Sequence, residues 1–137
     1  MASSVTIFPV DPAAEARRLA DLFSDLSDAV DDLLLTAPAK TPPERLASLR
    51  AQAQALEDKS HFFTAKAIGA TLQSIQQDLD HIKKVTTQAK AQLGVLNEVS
   101  KAIAIATSAV NLGTAIAEGN PAAILTATDA LATTIAG

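Results

Sequence analysis

Apolar residues recur at helical spacing in the first third of the chain. Between positions 19 and 34, leucine, phenylalanine and valine follow one another at intervals of three and four residues, which is the spacing of one buried helix face. Asp11-Pro12 precedes this stripe as an N-cap followed by a proline in the first turn. A first helix is predicted over about 12–35. Its other face carries aspartates at the same period, predicted to be a solvated surface or, alternatively, a partner-binding stripe: Asp21, Asp25, Asp28 and Asp32.

A second helix is predicted to begin at Pro42. The segment TAPAKTPP interrupts the first helix, and Thr41-Pro42-Pro43-Glu44 follows it. This is a capping-box pattern, in which Thr41 and Glu44 satisfy each other's backbone amides. The second helix is expected over about 42–58.

A longer apolar stripe keeps heptad spacing through the middle of the chain, with Thr86, Ser100 and Thr107 at the remaining positions. Heptad spacing is typical of a coiled-coil seam. The stripe predicts a helix over about 60–118, which would be roughly 90 Å long at 1.5 Å per residue. The predicted interaction seam consists of Ile68, Leu72, Ile75, Leu79, Ile82, Leu93, Leu96, Ile103 and Val110.

The boundary between the second helix and the long one has two interpretations. A turn near 58–60 would separate them, or a single helix would run over 42–118 with a skip around Phe62 to Gly69. No Gly or Pro lies between 44 and 68, which favours continuity. The fold class is therefore predicted as all-α, in one domain over 1–137: an elongated helical bundle or coiled-coil hairpin with a long central helix.

A C-terminal, Ala-rich helical hairpin completes this prediction. Gly119 suits the left-handed position after a helix, and Asn120 and Pro121 suit the N-cap and first turn of the next helix, over 121–136. Small residues at fourfold spacing allow two helices to approach closely. The residues assigned to the hairpin are Ala109, Gly113, Ala117, Gly119, Asn120, Pro121 and Ile124.

The hairpin is either protein core or a membrane element. Its first arm is uncharged from 102 to 117, somewhat short of the roughly 20 residues that span a bilayer, and Asp129 interrupts the second arm. These features favour core. In outline, however, the hairpin resembles the apolar hairpins of α-helical pore-forming toxins and secretion-system translocators. That resemblance implies conditional insertion, which a charge at Gly113 or Ile124 should abolish.

Composition narrows the classes of function. The net charge is -4 and no basic patch is concentrated, which argues against nucleic acid as a partner. The absence of Cys excludes disulfides and thiol catalysis.

The opening MASSVTIFPV lacks the features of a conventional signal peptide, so the protein is expected in the cytoplasm or exported by another route. The chain ends at Gly137 directly after an apolar helix, as a fragment of a longer protein would.

No catalytic or metal site is predicted. His61 and His81 each follow an acid by three residues, Asp58 and Asp78, a spacing that helical metal sites use. No further carboxylates lie at matching inward positions, so surface pairs are expected. Nucleophile motifs and phosphate-binding glycine loops are also missing. No enzyme activity, cofactor or small-molecule substrate is therefore expected.

The function predicted from the sequence is that of a non-enzymatic interaction or assembly protein. It would act on a protein partner or on itself through the heptad seam and the apolar hairpin. The alternative is a membrane-active protein that inserts residues 102–136.

Overall fold

The described part of the structure, a computed structural model covering residues 11–96 and 98–137, contains six α-helices and no β-strand. The opening segment, which the sequence argues is not a signal peptide, lies outside the described residues. The helices are α1 (Pro12–Thr36), α2 (Pro43–Phe62), α3 (Ala65–Ser74), α4 (Leu79–Val95), α5 (Val99–Glu118) and α6 (Pro121–Ala136). The all-α prediction is confirmed.

Helix α1 begins and ends where local chemistry requires it. The Asp11 side chain accepts hydrogen bonds from the backbone amides of Ala13, at 3.1 Å, and Ala14, at 3.3 Å, and Pro12 occupies the first turn. The helix ends at Thr36 because Ala37, which precedes Pro38, has extended backbone angles, as steric clash with a following proline demands.

The capping box predicted for α2 is wrong. The Thr41 hydroxyl donates instead to the carbonyl of Pro38, at 2.7 Å, and Pro42 is the N-cap with no side-chain hydrogen bond. Thr41 therefore stabilises the loop between α1 and α2 rather than the first turn of α2.

The prediction of a long central helix is also wrong, both for a helix over 60–118 and for a continuous helix over 42–118. The predicted helix is interrupted three times: at Phe63–Thr64, between Ser74 and Leu79, and between Val95 and Val99. At the first break Phe63 turns into the core, and Thr64 caps α3 by accepting from the amide of Ala67 at 3.1 Å. At the third break Leu96 and Glu98 have extended backbone angles. The result is a short bundle instead of a rod.

Five helices pack side by side in a closed ring, in the order α1, α2, α5, α6, α4 and back to α1. Helix α2 is antiparallel to α1, as two hydrogen bonds between them show: Ser27 donates to the carbonyl of Ala53, and Ser60 donates to the carbonyl of Ala20. Helix α4 runs parallel to α1, as two ion pairs between them show: Lys83 pairs with Glu15, and Lys90 pairs with Asp25. The short α3 contacts α1 and α5.

Phe23 lies at the centre of this arrangement. Its ring is fully buried and meets Phe63 edge to face, with centroids 5.0 Å apart. Helix α5 passes over the aromatic ring of Phe23 at Gly113. A Cβ atom added there would lie 2.8 Å from Phe23 Cε2 and 2.9 Å from Lys59 Cγ. Gly113 therefore allows α5 to approach α1 and α2 closely. At Gly94, by contrast, an added Cβ atom would have no neighbouring atom within 4 Å.

The two glycines provide a matched test of this packing. Gly94→Ala should raise the free energy of unfolding by about 0.5–1 kcal/mol, because alanine is the better helix former and the space is open. Gly113→Ala gains the same propensity, but overpacking a core costs typically about 1–3 kcal/mol. The net effect should be a loss of about 1 kcal/mol in urea denaturation. Equal stabilisation by both changes would show that α5 does not press against Phe23.

Candidate functional surfaces

The heptad seam faces the chain's own core over most of its length. Six of its residues are at most 3% exposed: Ile68, Leu72, Ile75, Leu79, Ile82 and Leu93. Beyond the break at 96–98 the seam loses its register, and Leu96, Ile103 and Val110 are only partly buried. The buried face of α5 is formed instead by residues such as Ile105, Leu112 and Ile116. The six seam residues before that break therefore belong to the core of the described bundle.

The hairpin turn has the geometry that its sequence predicts. Gly119 has φ 78° and ψ 22°, a left-handed conformation that favours glycine. Asn120 Oδ1 accepts from the amide of Ala123 at 3.2 Å, and Pro121 opens α6. Ala109, Gly113 and Ile124 are buried, and Ala117 is half-buried.

The outward side of this hairpin carries mostly small, uncharged residues. Between α5 and α6 lies a shallow, mainly apolar groove of about 390 Å³. It is lined by Asn111, Thr114, Ala115, Glu118, Ala123, Thr126, Ala127 and Ala130. Glu118 and Asp129 are the only charged residues from 102 to the end of the chain. We call this surface the hairpin face.

Helix α5 also meets the length and composition expected of a membrane span, and half of that stretch is buried inside the bundle. Helix α6 is apolar but has only 16 residues. A core helix of a soluble protein has the same properties, so this observation alone does not assign the hairpin to lipid.

A second surface lies between α1 and α4. The C-terminal halves of these parallel helices enclose a groove of about 400 Å³, lined by Asp25, Asp28, Ala29, Asp32, Leu33, Thr36, Lys90, Leu93, Gly94 and Leu96. Lys90 pairs with Asp25 at 3.1 Å, and both side chains are about half exposed. We call this surface the acidic groove. Three of the four aspartates that the sequence places on one face of α1 line it.

The histidines lie elsewhere on the surface. His61 Nε2 is 2.9 Å from Glu57 Oε2, whereas Asp58 accepts from Gln54, so the acid that pairs with His61 lies one residue earlier than the sequence pattern suggests. His81 is exposed. Across residues 11–96 and 98–137, no group of three or more His, Asp or Glu side chains is placed to hold a metal ion.

No protein-family model, no curated protein and no solved structure matches the chain. The function is therefore inferred from these surfaces.

The aspartates of the acidic groove should oppose folding. Asp28 and Asp32 are one helical turn apart, and like charges at that spacing destabilise a helix by about 0.2–0.5 kcal/mol. The double change Asp28→Asn/Asp32→Asn should therefore raise the free energy of unfolding by that amount at low ionic strength. The gain should disappear in about 1 M salt, where the screening length is about 3 Å. A loss of stability at low salt would contradict this assignment.

Proposed function

We propose that the protein is a non-enzymatic assembly protein that associates with a second copy of itself through the hairpin face. The observation that carries the proposal is the absence of charge on that face outside Glu118 and Asp129. The rest of the described chain carries its acids and bases on exposed helix surfaces. Surfaces that exclude water on association are depleted in charge at their centre, and of the residues that line the groove of the hairpin face only Glu118 is charged.

The burial of the heptad seam supports the choice of this surface. Because residues such as Leu79 and Ile82 pack inside the bundle, a partner reaching them would have to unfold it. The hairpin face needs no rearrangement. Its alanines and threonines allow the backbones of two helices to approach closely.

A two-fold contact fits the distribution of charge. In an isologous interface each protomer contributes the same patch, and an antiparallel arrangement would place the two copies of Glu118 at opposite ends. The net charge of -4 then opposes association only weakly, because the screening length is about 8 Å at physiological salt. Ala130 is exposed and lines the groove, so it would be part of this interface.

Ala130→Glu should weaken self-association at least about tenfold, because it places a charge without a partner in the interface. Size-exclusion chromatography with light scattering over a concentration series measures the dissociation constant. Ala51→Glu, the same change at an exposed position of α2, should leave it unaltered. A wild-type chain that remains monomeric at the highest soluble concentration contradicts the proposal.

The second candidate function, insertion of α5 and α6 into lipid, is favoured by the length and composition of α5. In this proposal the bundle is the form of the protein in water, and insertion requires the hairpin to leave the bundle. Because Gly113 and Ile124 are buried, a charge at either position would also destabilise the bundle. Exposed Leu125 is a cleaner position for the test.

Flotation with anionic liposomes through a density gradient, at neutral and mildly acidic pH, measures insertion. The insertion hypothesis predicts that the wild type rises with lipid at one of these pH values or at both and that Leu125→Asp does not, since a charge in the bilayer core costs about 2.5–3.5 kcal/mol. Protein that remains at the bottom at both pH values excludes this second function. Circular dichroism of both proteins checks that helicity is retained.

A further inference from the structure

The acidic groove combines an apolar floor with an acidic rim. Leu33 and Leu93 form the buried part of the floor, and Leu96 and Ala29 are partly buried beside them. Gly94 leaves the wall next to Leu93 open, because nothing lies within 4 Å of its Cβ position. The groove is therefore able to accept side chains from outside. It lies on α1 and α4, away from the residues that line the hairpin face.

The carboxylates of the rim follow the groove along α1. Asp25, Asp28 and Asp32 are separated by three and four residues, so they rise about 10 Å along one helix face. Asp25 has Lys90 as a partner. Within the described residues no ion pair joins Asp28 or Asp32 to a basic side chain. The rim therefore has a net negative charge that the chain does not neutralise.

Two large apolar side chains are exposed in the last turns of α1 and α4, next in sequence to residues that line the groove. Leu35 is 85% exposed at the end of α1, and Val95 is 78% exposed at the end of α4. Their neighbours in sequence, Thr36, Gly94 and Leu96, line the groove. Exposed large apolar groups next to an apolar depression are typical of a surface that a partner covers.

The charge on the rim defines the chemistry of that partner. A rim of like charges conflicts locally with folding, and such conflicts concentrate at functional sites. The apolar floor excludes a purely polar ligand, and the carboxylates require positive charge. From Asp25 to Thr36 the groove follows about 16 Å of helix, or three turns.

We propose that the acidic groove binds an amphipathic helix of a partner protein that carries Lys or Arg beside Leu or Ile. The apolar side chains of that helix enter the groove and cover Leu35 and Val95. Its basic side chains pair with Asp28 and Asp32. This interaction is independent of self-association through the hairpin face.

The test uses fluorescence anisotropy of a labelled synthetic peptide made of two copies of Leu-Lys-Lys-Leu-Leu-Lys-Leu. Asp28→Asn/Asp32→Asn should raise its dissociation constant at least about tenfold, since both pairings are lost. Gly94→Gln, which fills the groove without changing charge, should also weaken binding. The control Asp58→Asn/Asp80→Asn makes the same change in net charge at exposed positions on α2 and α4 and should keep the wild-type affinity within about twofold, because distant exposed charges are screened.

Several results would overturn the proposal. Equal weakening by the groove variant and the charge-matched control would show binding to net charge alone. A peptide with Glu in place of Lys that binds as tightly would show that the carboxylates play no part, and failure of the Lys peptide to bind would exclude this occupant. If the groove variant instead changes the oligomeric state of the protein, the occupant is a second copy of the chain.

Discussion

The aromatic ring of Phe23 sets how closely α1, the segment around Phe63 and α5 approach one another. It is fully buried, meets Phe63 edge to face, and leaves so little space that α5 crosses it at a glycine, Gly113. An aromatic pair of this geometry contributes about 0.5–1.5 kcal/mol beyond the burial of its area. Because Phe63 must point inward to make this contact, α2 ends there and α3 begins after it. The same contact therefore fixes the end of α2, the start of α3 and the depth at which α5 enters the ring of helices.

The sequence predicts those features of the fold that depend on local backbone chemistry. Asp11-Pro12 and Gly119-Asn120-Pro121 have strong positional preferences, so the start of α1 and the turn before α6 follow from the residues themselves. The breaks at Phe63 and near Leu96 depend on packing between distant helices. Heptad spacing persists across the break at 75–78 because α3 and α4 both turn their apolar faces to one core, whether or not the backbone is a single helix. Thr64, a good N-cap residue, was the local signal for the first break.

The candidate surfaces were predictable to different degrees. The uncharged character of the hairpin is visible in composition, but only the packing shows that Gly113 and Ile124 face inward while Thr126 and Ala130 line the outer groove. The aspartates of α1 were visible as a periodic face. Their groove was not, because it requires α4 to lie parallel to α1, and that arrangement is set by contacts of residues far apart in sequence. Closing the bundle thus turns most of the seam into core and leaves two chemically different surfaces exposed.

The central claim is that α4 is a core helix of each protomer and that association uses the outer side of α6. Amide hydrogen exchange at low and high protein concentration tests it most directly, since protection reports the local stability of each helix. Amides of α4 between Ile82 and Leu93 should be strongly protected at both concentrations, and amides of α6 should gain protection only at the higher one. Protection of α4 that appears only at high concentration would contradict the account, because the heptad seam would then be an interface between chains.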